Sequence, residues 1–227
     1  MPNWNENHFM IVGDETKMKP IIDKVDEIKK NGLLDTLAPT PKELKETKSP
    51  TDKTNQELVD KYGFDNWYEW RCFNYGTKWI DWREGDEIPV EIEKVKGEKN
   101  QVSMSISSDT PWNSPSNGLS YLAHKFKGLL FMNLSIEEQM IWGSFEFYQY
   151  PFVFNNNFFG YDKIHEDIKK FYHLPENDDE ENEDTFHQHL CDHSMEFLYQ
   201  GIKRMNEGNN TPIERLLTKY YNYYEGD

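Results

Sequence analysis

His187-x-His189-x-Cys191-x-His193 is the run whose residue types come nearest to a metal site. On a helix the pairs 187/191 and 189/193 are each one turn apart, a spacing that chelates a transition ion. The two pairs project to different sides, so one ion would not collect all four. Surface histidines beside an acidic stretch are the commoner explanation, and no metal or cofactor is expected. Cys72 would need an exposed thiolate near a base to act as a nucleophile. Flanked by Arg71 and Phe73 in a helical stretch, it reads as a packed thiol.

The loop Asn74-Tyr75-Gly76-Thr77-Lys78, followed by Trp79, has one glycine and one lysine, too little to cradle phosphates. Lys78 could still supply the single cation of a pocket. Asp109, Thr110 and Trp112 stand where a strand is expected to run into a helix, and Asp109 is expected to bond local backbone amides. Asn74, Thr77, Lys78, Trp79, Asp109 and Trp112 therefore form the candidate small-ligand set, weighed against a plain structural turn. No Walker loop, G-x-G-x-x-G, G-x-S-x-G or H-E-x-x-H is present, so no catalytic residue is assigned.

The elements that must position these residues follow from periodicity. His8 to Val12 is β-prone, and Thr16 to Lys30 carries Met18, Ile21, Ile22, Val25 and Ile28 on one helical stripe. Pro39, Pro41 and Pro50 mark a loop that could be mobile, and Gln56 to Asn74 reads as one helix. Trp79–Trp82, Ile88–Val95, Gln101–Ser107, Leu129–Leu134 and Ile141–Gln149 read as strands. Between the third and fourth, Ser114-Pro115 opens an amphipathic helix through Leu119, Leu122, Ala123 and Phe126. From Asp162 onward the pattern turns helical, ending in a capped helix at Thr211-Pro212-Ile213-Glu214. The fold class expected is α+β over residues 1–160, with a helical acidic extension over 161–227.

Phe64 to Trp82 holds eight aromatic residues, four of them tryptophan. Phe64, Trp67, Trp70 and Phe73 recur every three residues, a ridge that would lie against a sheet. The expectation is a helix–turn–strand corner that supplies the main core. A base-stacking platform would need a cationic groove, and Asp65, Glu69, Asp81 and Glu84 outnumber Arg71, Lys78 and Arg83.

Charge narrows the partners. With 41 acids against 25 bases the formal net charge is -16, which repels nucleic acid and anionic lipid and favours a basic partner. Residues 162–227 hold sixteen acids and seven bases, and seven of the acids fall between Glu176 and Asp184. Asp178, Asp179, Glu180, Glu181, Glu183 and Asp184 are the candidate acidic partner surface, against a merely solubilising loop. The N-terminal residues Met1-Pro2-Asn3-Trp4-Asn5-Glu6 show no signal peptide, and no stretch of eighteen apolar residues would span a membrane. Two cysteines in unlike contexts suit a reducing cytoplasm.

Five separated blocks carry a resemblance: Met1-Pro2-Asn3-Trp4, Leu37 to Leu44 (LAPTPKEL), Trp67-Tyr68-Glu69-Trp70, Asn74 to Trp79 (NYGTKW) and Asp109 to Pro115 (DTPWNSP). In that order they resemble the YubB ferredoxin-like family of bacteriophage and plasmid proteins. Gly143 after Glu137-Glu138 agrees with it. Tyr75 stands where a tryptophan is usual, and Asn5 where a cysteine is common, which weakens any idea of a family thiol. The resemblance covers roughly residues 1–150. It implies a ferredoxin-like βαββαβ fold with an inserted helix, a mobile-element origin and expression in a bacterial cytoplasm. It brings no reaction.

The function expected is thus a phage-encoded acidic interaction protein that binds and inhibits a basic host protein, defence components among the candidates. The first alternative is a small enzyme or nucleotide binder using the Asn74–Trp79 loop beside Asp109 and Trp112. The second is a structural protein whose C-terminal helices form a homo-oligomer.

Overall fold

A computed structural model describes residues 3–79, 87–94, 100–138 and 142–159. The chain opens with β1 (Trp4–Asp14), followed by six short helices: α1 (Glu15–Ile22), α2 (Val25–Asn31), α3 (Leu33–Leu37), α4 (Lys42–Lys45), α5 (Gln56–Tyr62) and α6 (Trp67–Tyr75). Then come β2 (Val90–Lys94), β3 (Gln101–Pro111), α7 (Ser116–Lys125), β4 (Leu130–Glu137), β5 (Trp142–Gln149) and β6 (Phe152–Phe159).

All six strands join one sheet in the order β2-β3-β1-β4-β5-β6, and every adjacent pair is antiparallel. The first four strands have the ferredoxin-like order, with helical crossovers from β1 to β2 and from β3 to β4. β5 and β6 extend the β4 edge. The fold is therefore α+β, as the alternation of patterns predicts.

Strand periodicity decides the two faces. In β1 Asn5, Asn7, Phe9 and Ile11 are buried, while Trp4, Glu6, His8 and Met10 between them are only partly so. β3 repeats the pattern with Val102, Met104, Ile106, Ser108 and Thr110 buried. Phe9, Ile11, Met104, Ile106, Phe131 and Tyr148 meet Met18, Ile21, Ile28, Leu33, Leu34, Leu119 and Leu122 of the helices in one core. Leu130, Met132, Leu134, Ile136 and Phe147 are buried on the opposite face.

Several local expectations change. The single helix over Thr16–Lys30 is two, because Lys24 leaves helical geometry at φ -108°, ψ 12°. The bend lets Met18, Ile21 and Ile28 all reach the core. The helix over Gln56–Asn74 is also two. Gly63, at φ +78°, ends α5 in a left-handed turn that a side chain would strain. Asn66 then caps α6, its side-chain oxygen accepting from the Glu69 amide at 2.9 Å.

The proline-rich stretch carries its own helix, α4, pinned by the fully buried Leu44. The aromatic ridge does not supply the main core. Tyr75 is the buried residue of α6, whereas Trp67 and Trp70 are half-buried and Phe73 is 66% exposed. The core is instead built from aliphatic helix residues against the sheet. The strand expected at Trp79–Trp82 lies mostly outside the described residues, as does the helical extension over 161–227.

Candidate binding surface

The end of α6 is the structural centre of the candidate site. Gly76 closes the helix at φ +92°, its amide donating to the Cys72 carbonyl at 3.2 Å. A Cβ there would come within 3.1 Å of the Ser114 carbonyl oxygen, so glycine also permits the close approach of the loop to the start of α7. Thr77 is buried and donates its hydroxyl to the Pro111 carbonyl at 3.0 Å, tying the loop to the end of β3.

Beyond Thr77 the cation–aromatic cluster forms. The Lys78 ammonium lies 3.8 Å from the centre of the Trp79 ring and 4.2 Å from that of Trp112. Trp79 stacks in turn on Trp4, with ring centres 6.4 Å apart. Trp112 is 47% exposed and adopts φ +66°, a strained value for a bulky residue, held by its backbone N–H donating to the Asn3 carbonyl at 2.8 Å.

Of the predicted ligand set, Thr77, Lys78, Trp79 and Trp112 are thus brought together. Asn74 is not among them. Its amide nitrogen donates to the Trp70 carbonyl at 2.8 Å, and the residue lines a different space. Asp109 lies inside β3 rather than in the loop after it. It is in register with Glu6 on the face opposite Ser108 and Thr110.

The space that Asn74 lines is a groove of about 530 Å³ between α6 and α7, floored by Ala38 and Pro39. Trp70, Phe73, Tyr75 and Tyr121 are the four aromatic residues of its lining, and Tyr121 is 53% exposed. Asn117 of α7 donates to the Phe73 carbonyl at 2.8 Å and locks the two helices at the groove. Beneath, Gly118 packs so closely on Leu34 that a Cβ would fall 2.5 Å from a Leu34 methyl. Sequence reasoning missed this groove. The i, i+3 step from Trp70 to Phe73 predicts a core-facing ridge, and nothing local pairs it with Tyr121.

A third feature lies on the helix-facing side of the sheet, where the apolar rows give way to polar ones. Glu146, buried, accepts from the hydroxyls of Ser114 at 2.7 Å, Ser116 at 2.6 Å and Ser144 at 3.0 Å. The Asn133 amide donates to Asn7 at 3.1 Å and to Ser114 at 3.0 Å. The amide of Asn5, the hydroxyls of Ser108 and Ser135 and the Asn133 Oδ1 have no hydrogen-bond partner among the described residues. Burial pushes the neighbouring Tyr148 hydroxyl far above the ordinary tyrosine range, with the Glu146 carboxylate adding to the shift.

Cys72, a partly buried free thiol, lies in α6. Burial raises its thiol pKa, only partly offset by a hydrogen bond with Tyr68 and by the Lys78 charge. Among the described residues no group of three or more His, Cys, Asp or Glu side chains could hold a metal ion. The His187–His193 run and the acidic set Asp178, Asp179, Glu180, Glu181, Glu183 and Asp184 lie outside the described residues.

No family model matches the chain. No curated protein matches it. Among solved structures it is similar to the crystal structure of protein api92 from Yersinia pseudotuberculosis, of the DUF1281 family. That likeness has a TM-score of 0.39 at 9% identity, and covers 70% of this chain and 99% of that one.

Proposed function

We propose that this is a non-enzymatic interaction protein of mobile-element origin. It binds and blocks a basic protein of its bacterial host, defence components included, in the host cytoplasm. The observation that carries the reading is the pair of exposed rings, Phe73 and Tyr121, fixed over one groove by bonded helices. Rigid aromatic anchors beside a pocket are what protein interfaces use for most of their affinity. The net charge of -16 selects a basic partner and disfavours nucleic acid. The mobile-element origin rests on the five YubB-like blocks.

The alternative, a small-ligand binder around Lys78, is favoured by the ammonium held between Trp79 and Trp112. Affinity capture from bacterial lysate at low salt separates the two. The wild type is expected to retain a protein of high isoelectric point, and purified components are expected to form a binary complex that Phe73→Ala with Tyr121→Ala weakens. A retained partner that is acidic, or a complex indifferent to both substitutions, would overturn the reading.

A further inference from the structure

β4 is buried at all eight of its positions, on both faces of the sheet. Phe131 lies on the side that the helices cover and joins their core. Leu130, Met132, Leu134 and Ile136 alternate with it on the far side, each 1% exposed or less. Val12 of β1 is in register with Leu130, and Phe147 of β5 with Met132, and both are equally buried. None of these six side chains belongs to the core formed with the helices. The same face of β3 is different in kind. Ser103, Ser105 and Ser107 alternate there, and each is only partly buried. An apolar face of this extent requires a second layer, seated over β4 and β5 and ending near β1.

The burial is reached by a single chain, so the chain itself limits what the layer can be. Residues 80–86 connect Trp79 to the segment before β2, where the Ile88 amide donates to the Lys29 carbonyl of α2 on the helix side. Residues 95–99 join β2 to β3, and residues 139–141 join β4 to β5, too few in either case to cover a sheet face. Residues 160–227 follow β6, which pairs with β5 on the side of the sheet where the far face is apolar. That stretch has both the length and the starting point.

Within it, Phe186–Met205 has the complementary pattern. At helical spacing Phe186, Leu190, Phe197 and Leu198 fall on one side, and Gln188, Asp192, Glu196 and Lys203 on the other. Twenty residues of helix span about 30 Å and eight of strand about 26 Å, so one such helix matches the length of β4. We propose that the helix expected over Phe186–Met205 lays its apolar stripe on Leu130, Met132, Leu134 and Ile136 as the second layer of the fold. The C-terminal residues then complete the domain, and the far face of the sheet is closed to a host protein.

Paramagnetic broadening in the full chain tests this. A nitroxide is placed on Glu196→Cys, on the polar side of the stripe, in a Cys72→Ser, Cys191→Ala background. The methyl signals of Met132 and Leu134 are expected to be lost, while those of Leu34 and Leu119 in the helix-side core persist. Equal loss on both sides, or no loss on either, would overturn the proposal. So would loss that arises between molecules, seen when nitroxide-bearing protein is mixed with isotope-labelled protein lacking the nitroxide, because a second copy would then be the cover. Hydrogen exchange provides a readout that needs no label. In the wild type the amides of residues 190–200 are expected to be protected, and Phe197→Asp to abolish that protection and raise binding of a hydrophobic dye, with α1 still protected. Exchange of residues 190–200 at the rate of an unstructured chain in the wild type, or unchanged dye binding in Phe197→Asp, would equally overturn it.

Discussion

Arg71 and Asp35 form a two-pronged ion pair: one guanidinium nitrogen lies 3.0 Å from both carboxylate oxygens. The side chains are only 13% and 18% exposed. The same arginine donates through Nε to Thr40 at 2.9 Å, so it binds α6 to α3 and to the proline-rich stretch. Removing Arg71 leaves Asp35 with only the longer, more exposed contact to Lys45 at 3.5 Å, so most of the charge pairing is lost. Arg71→Met is expected to lower stability by about 2–4 kcal/mol, and the double variant with Asp35→Leu by less. Denaturant unfolding of the three variants checks this; an equal or larger loss in the double variant would count against it.

The aromatic ridge should divide in its energetics. Leu34, fully buried, is expected to cost about 2–5 kcal/mol on truncation to alanine. Phe73, mostly exposed, should cost about 0.5 kcal/mol or less. Half-buried Trp70 packs edge-on against Tyr75 at 5.2 Å and should fall between them. A Phe73→Ala variant as unstable as Leu34→Ala would return the ridge to the core.

Gly118 makes a sharper test of helix packing. A methyl group there would meet the fully buried Leu34 side chain at 2.5 Å and 2.9 Å. Although alanine is the better helix former, Gly118→Ala is expected to destabilise by about 1–3 kcal/mol, the usual cost of overpacking. Pairing it with Leu34→Ala should recover part of that loss, as thermal unfolding can show.

Asp65 links stability to pH. Its carboxylate accepts from Asn66 at 2.9 Å, Thr51 at 3.2 Å and the Asn55 amide at 3.3 Å. The Asn66 bond leads in holding its pKa below the usual carboxylate value. The charged form is therefore favoured by folding. Its stabilisation is full above the unfolded pKa of about 4 and fades as pH falls through the lower folded value. Relative to Asp65→Asn, the wild type should lose stability below about pH 4. Parallel acid-unfolding curves for the two proteins would contradict the assignment.

Cys72 should resist alkylation. With its thiol pKa raised mainly by burial, the thiolate fraction near neutral pH is smaller than for a free cysteine. In a Cys191→Ser background, iodoacetamide should react more slowly than with a model thiol, with a midpoint at higher pH. Faster reaction would mark an activated thiol and reopen nucleophilic chemistry.

What the sequence determined by itself is local. The β-prone run His8–Val12 marked the middle of β1 and the alternation over Gln101–Ser107 most of β3, Ser114-Pro115 stood directly before α7, and the Asn74–Gly76 turn ended α6 where its residue types require. Net charge, too, is a property of composition alone. The breaks at Lys24 and Gly63 were harder to see, because apolar periodicity runs on through both and the bend is decided by what each half can bury. Only the tertiary structure separated the candidate site into two places. Lys78 and Trp112 meet because β3 ends beside the loop, while Asn74 turns to a groove whose far wall, Tyr121, comes from α7. The bond that holds that groove spans 44 residues, from Asn117 to Phe73. Whether an aromatic ring faces the core or solvent depends on which helix lies across from it. Spacing along one helix does not carry that information; the order of strands and crossovers does.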